Sequence, residues 1–130
     1  MRMIGHIFYS GGRSMSFFGS RNSILVFTVL TALIHLGLGF AFMSSPDFMG
    51  ELFILNGIGY LVLMYAYLWT PGALAGQKGL VRWVFLGYTA VTFVMYFVMN
   101  GAGSFASPPG LADKVIEALL IFSLYRHSGK

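Results

Sequence analysis

Ile24–Met43, ILVFTVLTALIHLGLGFAFM, runs for 20 residues without an Asp, Glu, Lys or Arg, and its reading decides the fold. As an α-helix rising about 1.5 Å per residue it is ~30 Å long, the thickness of a bilayer's hydrocarbon core. Working outward, three further apolar runs follow: Phe48–Trp69, Leu80–Met99 and Leu111–Tyr125. Seven of the eight basic residues (Arg2, Arg13, Arg21, Lys78, Arg82, Arg126, Lys130) stand before the first run, around the junction of the second and third, or after the fourth. The four acids (Asp47, Glu51, Asp113, Glu117) and Lys114 stand at the opposite ends. For a chain crossing a bilayer four times, that is the positive-inside distribution with both termini in the cytoplasm. The expected fold is all-α, an antiparallel four-helix transmembrane bundle in the plasma membrane.

Composition excludes the alternatives. With 57% hydrophobic and 9% charged residues and a mean hydropathy of +0.77, a chain this short cannot hide its apolar surface in a soluble core. Aromatic residues at the run ends (Phe17, Phe18, Trp69, Trp83, Tyr125) suit the interface between lipid and water. The net charge of +4 follows from the inside rule and calls for no nucleic acid. There is no cysteine, which removes disulfides, thiolate metal sites and thiol catalysis. The first run exceeds the 7–15 residues of a signal-peptide core, and Ser44-Ser45-Pro46 makes a poor cleavage site, so the run reads as a retained helix.

Residues 1–23, basic and interspersed with Phe8, Tyr9, Phe17 and Phe18, read as an interfacial cytoplasmic segment; residues 24–130 form the transmembrane domain. Ser45, Pro46 and Asp47 make a helix-start signal for the second run, with a serine cap, proline in the first turn and an early acid. The outer loop between the first two helices is therefore short. The fourth run is the shortest, with a charge-free stretch of only Ala118–Tyr125.

Polar residues recur at helical spacing in every run: Thr28, Thr31 and His35; Asn56, Tyr60 and Tyr67; Tyr88, Thr92, Tyr96 and Asn100; Asp113 and Glu117. In lipid such stripes face the bundle interior. Counted from the outer helix ends at the α-helical rise, His35, Asn56, Thr92 and Glu117 all lie roughly 9–12 Å deep. These four form the expected polar layer, a site for a ligand, ion or proton or a set of helix-pairing contacts. Glu51, Tyr96, Asn100 and Asp113 are expected above it as an acidic outer vestibule. A His–Glu pair can relay protons, because imidazole titrates near neutrality. No catalytic residues, metal site or cofactor are expected. Paired haem ligation fails because His6 and His127 lie on the cytoplasmic side, far from His35.

His35-Leu36-Gly37-Leu38-Gly39-Phe40, Asn56-Gly57-Ile58-Gly59-Tyr60, Gly87-Tyr88-Thr89-Ala90-Val91-Thr92, Tyr96-Phe97-Val98-Met99-Asn100-Gly101 and Asp113-Lys114-Val115-Ile116-Glu117-Ala118 resemble a group of small prokaryotic four-span membrane proteins of unknown function. The likeness covers roughly residues 33–125 and implies architecture alone. A looser likeness is to DoxX-type membrane proteins, which implies quinone or thiol redox work; without cysteine the thiol role has no residue to carry it.

The leading expectation is a non-enzymatic accessory or structural subunit, partnered by the bilayer and by other membrane subunits or copies of itself. A small transporter or an ion or proton conductor using the His35/Glu117/Asn56 layer comes second. A quinone- or lipid-handling redox protein is third.

Overall fold

The structure, a computed structural model, describes residues 17–127, and within them the chain is helical with no strand. Four α-helices, α1 (Arg21–Ala41), α2 (Met49–Leu68), α3 (Lys78–Asn100) and α4 (Pro108–Arg126), are joined by short connections that include single 3-10 turns at Gly72–Leu74 and Gly101–Phe105. Three of them, α1, α2 and α3, are long and apolar enough to cross a membrane. The part of the interfacial N-terminal segment before Phe17, with Arg2, Arg13, His6, Phe8 and Tyr9, lies outside the described residues, as does Lys130.

Local chemistry sets the helix ends. The Ser20 hydroxyl caps α1 by accepting from the Ser23 N–H at 3.2 Å. Ser107 caps α4 in the same way, accepting from Gly110 N–H at 3.3 Å, with proline in the first turn. Gly101 takes a positive φ of 52° just past α3, a conformation that costs glycine little. The start of α2 differs from the sequence expectation. The helix begins at Met49 behind Phe48, which sits in the left-handed region at φ 62° without a side-chain cap. Ser45, Pro46 and Asp47 instead form the turn, where the Asp47 carboxylate accepts from the Ser45 hydroxyl and, at 3.3 Å, from Met49 N–H. The reason is crowding. A Cβ on Gly50 would lie 2.7 Å from Met43 Cα and 2.8 Å from Gly39 O, so the two backbones touch and the chain must reverse before α2 can start.

Helix ends pair in consistent directions. Arg21 at the start of α1 donates to Leu68 O at the end of α2, at 2.6 Å. Arg82 near the start of α3 donates to Leu124 O (2.7 Å) and Tyr125 O at the end of α4. Phe18 packs on Phe122, and Tyr96 donates to Ser104 O beyond the far end of its helix. Toward the basic end the interior is largely apolar, built from Ile24, Phe27, Met64, Phe85, Leu120 and Leu124, with Ser23, Thr28, Ser123 and His127 also buried there.

The exterior is inverted relative to a water-soluble protein. Leu33, Phe40, Leu55, Val62, Val91, Val98, Val115 and Tyr125 are each more than half exposed, while Asp113, Lys114 and Glu117 are buried. Along α4 the exposed side chains from Pro108 to Tyr125 are all apolar. Its charges face inward, so averaged hydropathy understates how apolar its outer face is.

Candidate functional site

The site is built where α4 faces α1. On a helix, positions 113, 114 and 117 fall within about 100° of one another, so one face of α4 carries Asp113, Lys114 and Glu117 together. All three are at most 4% exposed, and His35 of α1 is 2% exposed beside them. The Lys114 ammonium stands 3.2 Å from Asp113 Oδ2 and pairs directly with Glu117 Oε1. Tyr60 of α2 donates its hydroxyl to Glu117 Oε2 at 2.5 Å, and Thr31 of α1 donates to Asp113 Oδ1.

His35 closes the ring. Its Nδ1 lies 2.8 Å from Thr31 O, and since a carbonyl only accepts, Nδ1 carries the hydrogen. The same nitrogen is 3.6 Å from Asp113 Oδ1, and Nε2, left with its lone pair, faces Glu117 Oε2 at 3.9 Å. The imidazole packs between the rings of Phe53 (centroids 5.9 Å apart) and Tyr60 (5.5 Å).

Charge balance defines what the cluster can do. Two carboxylates against one ammonium leave one negative charge when His35 is neutral. Unbalanced charge in a low-dielectric interior is costly, so one further positive charge would neutralise the cluster. His35 Nε2 and Glu117 Oε2, 3.9 Å apart and so not directly hydrogen-bonded, are the atoms that could take up a proton. His35, Asp113 and Glu117 each offer a ligand atom within 4.8 Å of the others, the spacing of a small cation site. The Lys114 ammonium already sits on both carboxylates, so a metal ion would have to displace it.

Of the expected layer, His35 and Glu117 come together. Asn56 and Thr92 form a separate group on the α2–α3 seam, where Tyr88 donates to Asn56 Oδ1 and, at 3.0 Å, to Asn56 O, and Thr92 reaches Asn56 Oδ1 at 3.5 Å. Tyr88 and Tyr60, ring to ring at 5.1 Å, link the two groups. Of the expected vestibule, Glu51 is exposed, Asn100 is exposed and bonds back to Tyr96 O, and Tyr96 lies beneath Lys114, whose ammonium is 4.9 Å from the ring centre. Asp113 is not vestibular. It is buried against His35, because the helical face that turns Glu117 inward turns Asp113 inward with it. Lys114, counted by sequence among the charges of the outer end, is buried for the same reason. Its i, i+3 spacing to Glu117 was the signal that could have placed it in the site.

A cavity of about 440 Å³ adjoins the cluster. His35, Asp113 and Lys114 line its inner end, Tyr88 and Tyr96 its side, and exposed Leu52, Leu55, Val91, Met95, Met99 and Asn100 its mouth. The mouth therefore opens between α2 and α3, which meet along a shorter seam than α1 and α2. No protein-family model, curated protein or solved structure matches this chain.

Proposed function

We propose that this chain is a four-span integral protein of the plasma membrane, an antiparallel helical bundle with both termini cytoplasmic, and that it works as a small proton conductor or proton-coupled transporter. The observation that carries the reading is the buried cluster of two carboxylates, an ammonium and an imidazole at the inner end of a cavity. Neutral interhelical hydrogen bonds, worth about 0.6 kcal/mol on average, suffice to register membrane helices. Burying ionisable groups costs several kcal/mol each, so helix pairing alone does not account for four of them in one place. A proton taken up and released by His35 or Glu117 gives them a use.

The accessory-subunit reading drew on the apolar exterior, which a lipid bilayer covers without a partner protein. The inverted exterior of α4 supports a fourth span: with its charges inside, it shows lipid an apolar face from Pro108 to Tyr125.

Proteoliposomes carrying an internal pH-sensitive dye test the reading. The protein is expected to collapse an imposed pH gradient faster than protein-free vesicles, and Glu117→Gln to return the rate to that of protein-free vesicles at equal reconstitution. Wild-type vesicles that hold the gradient as long as empty ones would overturn it.

A further inference from the structure

The cavity combines three features that bear on its occupant. Its mouth opens between α2 and α3 through side chains that are apolar except for Asn100 at the end of α3, so in a bilayer it is reached from lipid along most of its length. Its volume, about 440 Å³, is that of a drug-sized site. At its inner end stand His35, Asp113 and Lys114, and with Glu117 behind them the cluster has two carboxylates to one ammonium. The walls include the rings of Phe53, Tyr88 and Tyr96, whose faces attract cations. The other acids, Asp47 and Glu51, lie at this same end, and the basic side chains Arg21, Lys78, Arg82 and Arg126 lie at the opposite one.

From these features we propose that the cavity binds an amphiphilic organic cation, such as a lipophilic quaternary ammonium or phosphonium, with its charge toward Asp113, and that the cation takes the place of a proton held on His35 or Glu117. This rests on the proton-handling reading above and names its substrate class. One charge enters and one leaves: the cluster with its proton and the cluster with an organic cation are both neutral, whereas the cluster with both carries an uncompensated positive charge. Proton and cation therefore exclude one another. An anionic amphiphile would bring a second unbalanced negative charge, and a neutral one would displace nothing. The groups facing the exchanged proton are His35 from α1, Tyr60 from α2, Tyr88 and Tyr96 from α3, and Asp113, Lys114 and Glu117 from α4. A phenol gives up its proton far less readily than an imidazolium or a carboxylic acid, so the exchange is assigned to His35 and Glu117.

The test is calorimetric titration of the full chain in lipid nanodiscs with tetraphenylphosphonium and with tetraphenylborate, ions of one shape and opposite charge, against empty nanodiscs. Repeating the cation titration in two buffers of different ionisation enthalpy counts protons. The expected result is saturable binding of the cation alone with about one proton released per cation, and binding weakened about tenfold or more, ~1.4 kcal/mol, in Asp113→Asn. The comparison of the two ions needs no variant, so it holds if that substitution disturbs folding. Equal binding of the two ions, cation binding without proton release, or preferential binding of a short-chain quinone overturns the inference. Absence of cation binding in protein whose proteoliposomes still pass protons through Glu117 overturns this inference alone. Absence of both overturns the proposed function with it.

Discussion

Toward the basic end, the helices bury Ile24, Phe85, Leu120 and Leu124; toward the other end, α1 and α4 bury His35, Asp113, Lys114 and Glu117. Both halves handle charge, but differently. At the basic end Arg21 and Arg82 donate to the last carbonyls of α2 and α4, which otherwise lack partners. They also lie over interfacial rings, Arg21 4.8 Å from the centre of Trp69 and Arg82 5.1 Å from that of Trp83. Those charges are accounted for by helix ends and by aromatic ring faces. In the other half the charges bond one another, no helix end needs them, and packing would be served as well by leucine and methionine. The difference separates charge that architecture requires from charge that it does not, and the proposed function draws on the second kind.

The largest expected effect comes from breaking the unexplained half. Lys114→Met leaves two buried carboxylates without their cation and should cost ~3–5 kcal/mol, the range for removing one partner of a buried pair. Unfolding of the variant by denaturant titration in mixed micelles measures it. Replacing Asp113, Lys114 and Glu117 together by apolar residues of similar volume should leave stability unchanged or raise it by ~1–4 kcal/mol, while abolishing proton movement in vesicles. A triple variant less stable than Lys114→Met would mean that the cluster is structural after all.

Next in size is Gly50→Ala, which tests the closeness of α1 and α2. The added Cβ meets backbone atoms of Met43 and Gly39 at 2.7–2.8 Å, and backbone cannot swing aside. A loss of ~1–3 kcal/mol is expected, as for overpacking elsewhere, read from the same unfolding curves.

In the explained half, Arg82→Met should lower stability by about 1 kcal/mol, the scale of a charged group at a helix C-terminus. It should leave the rate of proton movement in vesicles unaltered. A change in that rate would show that the two halves are coupled.

The smallest effect concerns His127, which ends α4 and whose Nδ1 pairs with the Tyr67 hydroxyl. Burial, with Lys78, Arg82 and Arg21 nearby, pushes this imidazole below its ordinary value of 6.5. The folded state therefore takes up the proton less readily than the unfolded chain. Stability from this group is complete above that ordinary value and is lost as pH falls through the lower folded one. Acidification should therefore lower stability through His127, and His127→Gln should remove that part of the slope in unfolding curves measured across the range. An unchanged slope would mean that this end carries no pH-sensitive group of consequence.

The existence of the four helices was legible in the residues, and three of them from hydropathy alone. Ile24–Met43, Phe48–Trp69 and Leu80–Met99 lie within three residues of α1, α2 and α3 at each end, because an apolar run bounded by serine, proline or glycine has few other conformations. The fourth, Leu111–Tyr125, is extended by a turn at its start, from Ser107 as cap and the prolines that follow. Helical spacing also put His35 and Glu117 at comparable depth, since rise per residue is nearly constant. Depth is not direction. Asn56 and Thr92 share that depth and yet turn toward Tyr88, and Asp113 and Lys114, counted outside the layer, turn into it.

By itself, then, the sequence determined the helical class, the helix limits to within a few residues, and the separation of basic from acidic ends, because each of these depends on local rise, capping and the distribution of charge along the chain. The tertiary structure decided which faces meet: that Lys114 neutralises both Asp113 and Glu117, that His35 points one nitrogen at Thr31 O and the other at Glu117, and that a cavity opens between α2 and α3 beside them. Rotation of each helix about its own axis carries that information, and it is set only when four helices pack and every buried charge must find its partner.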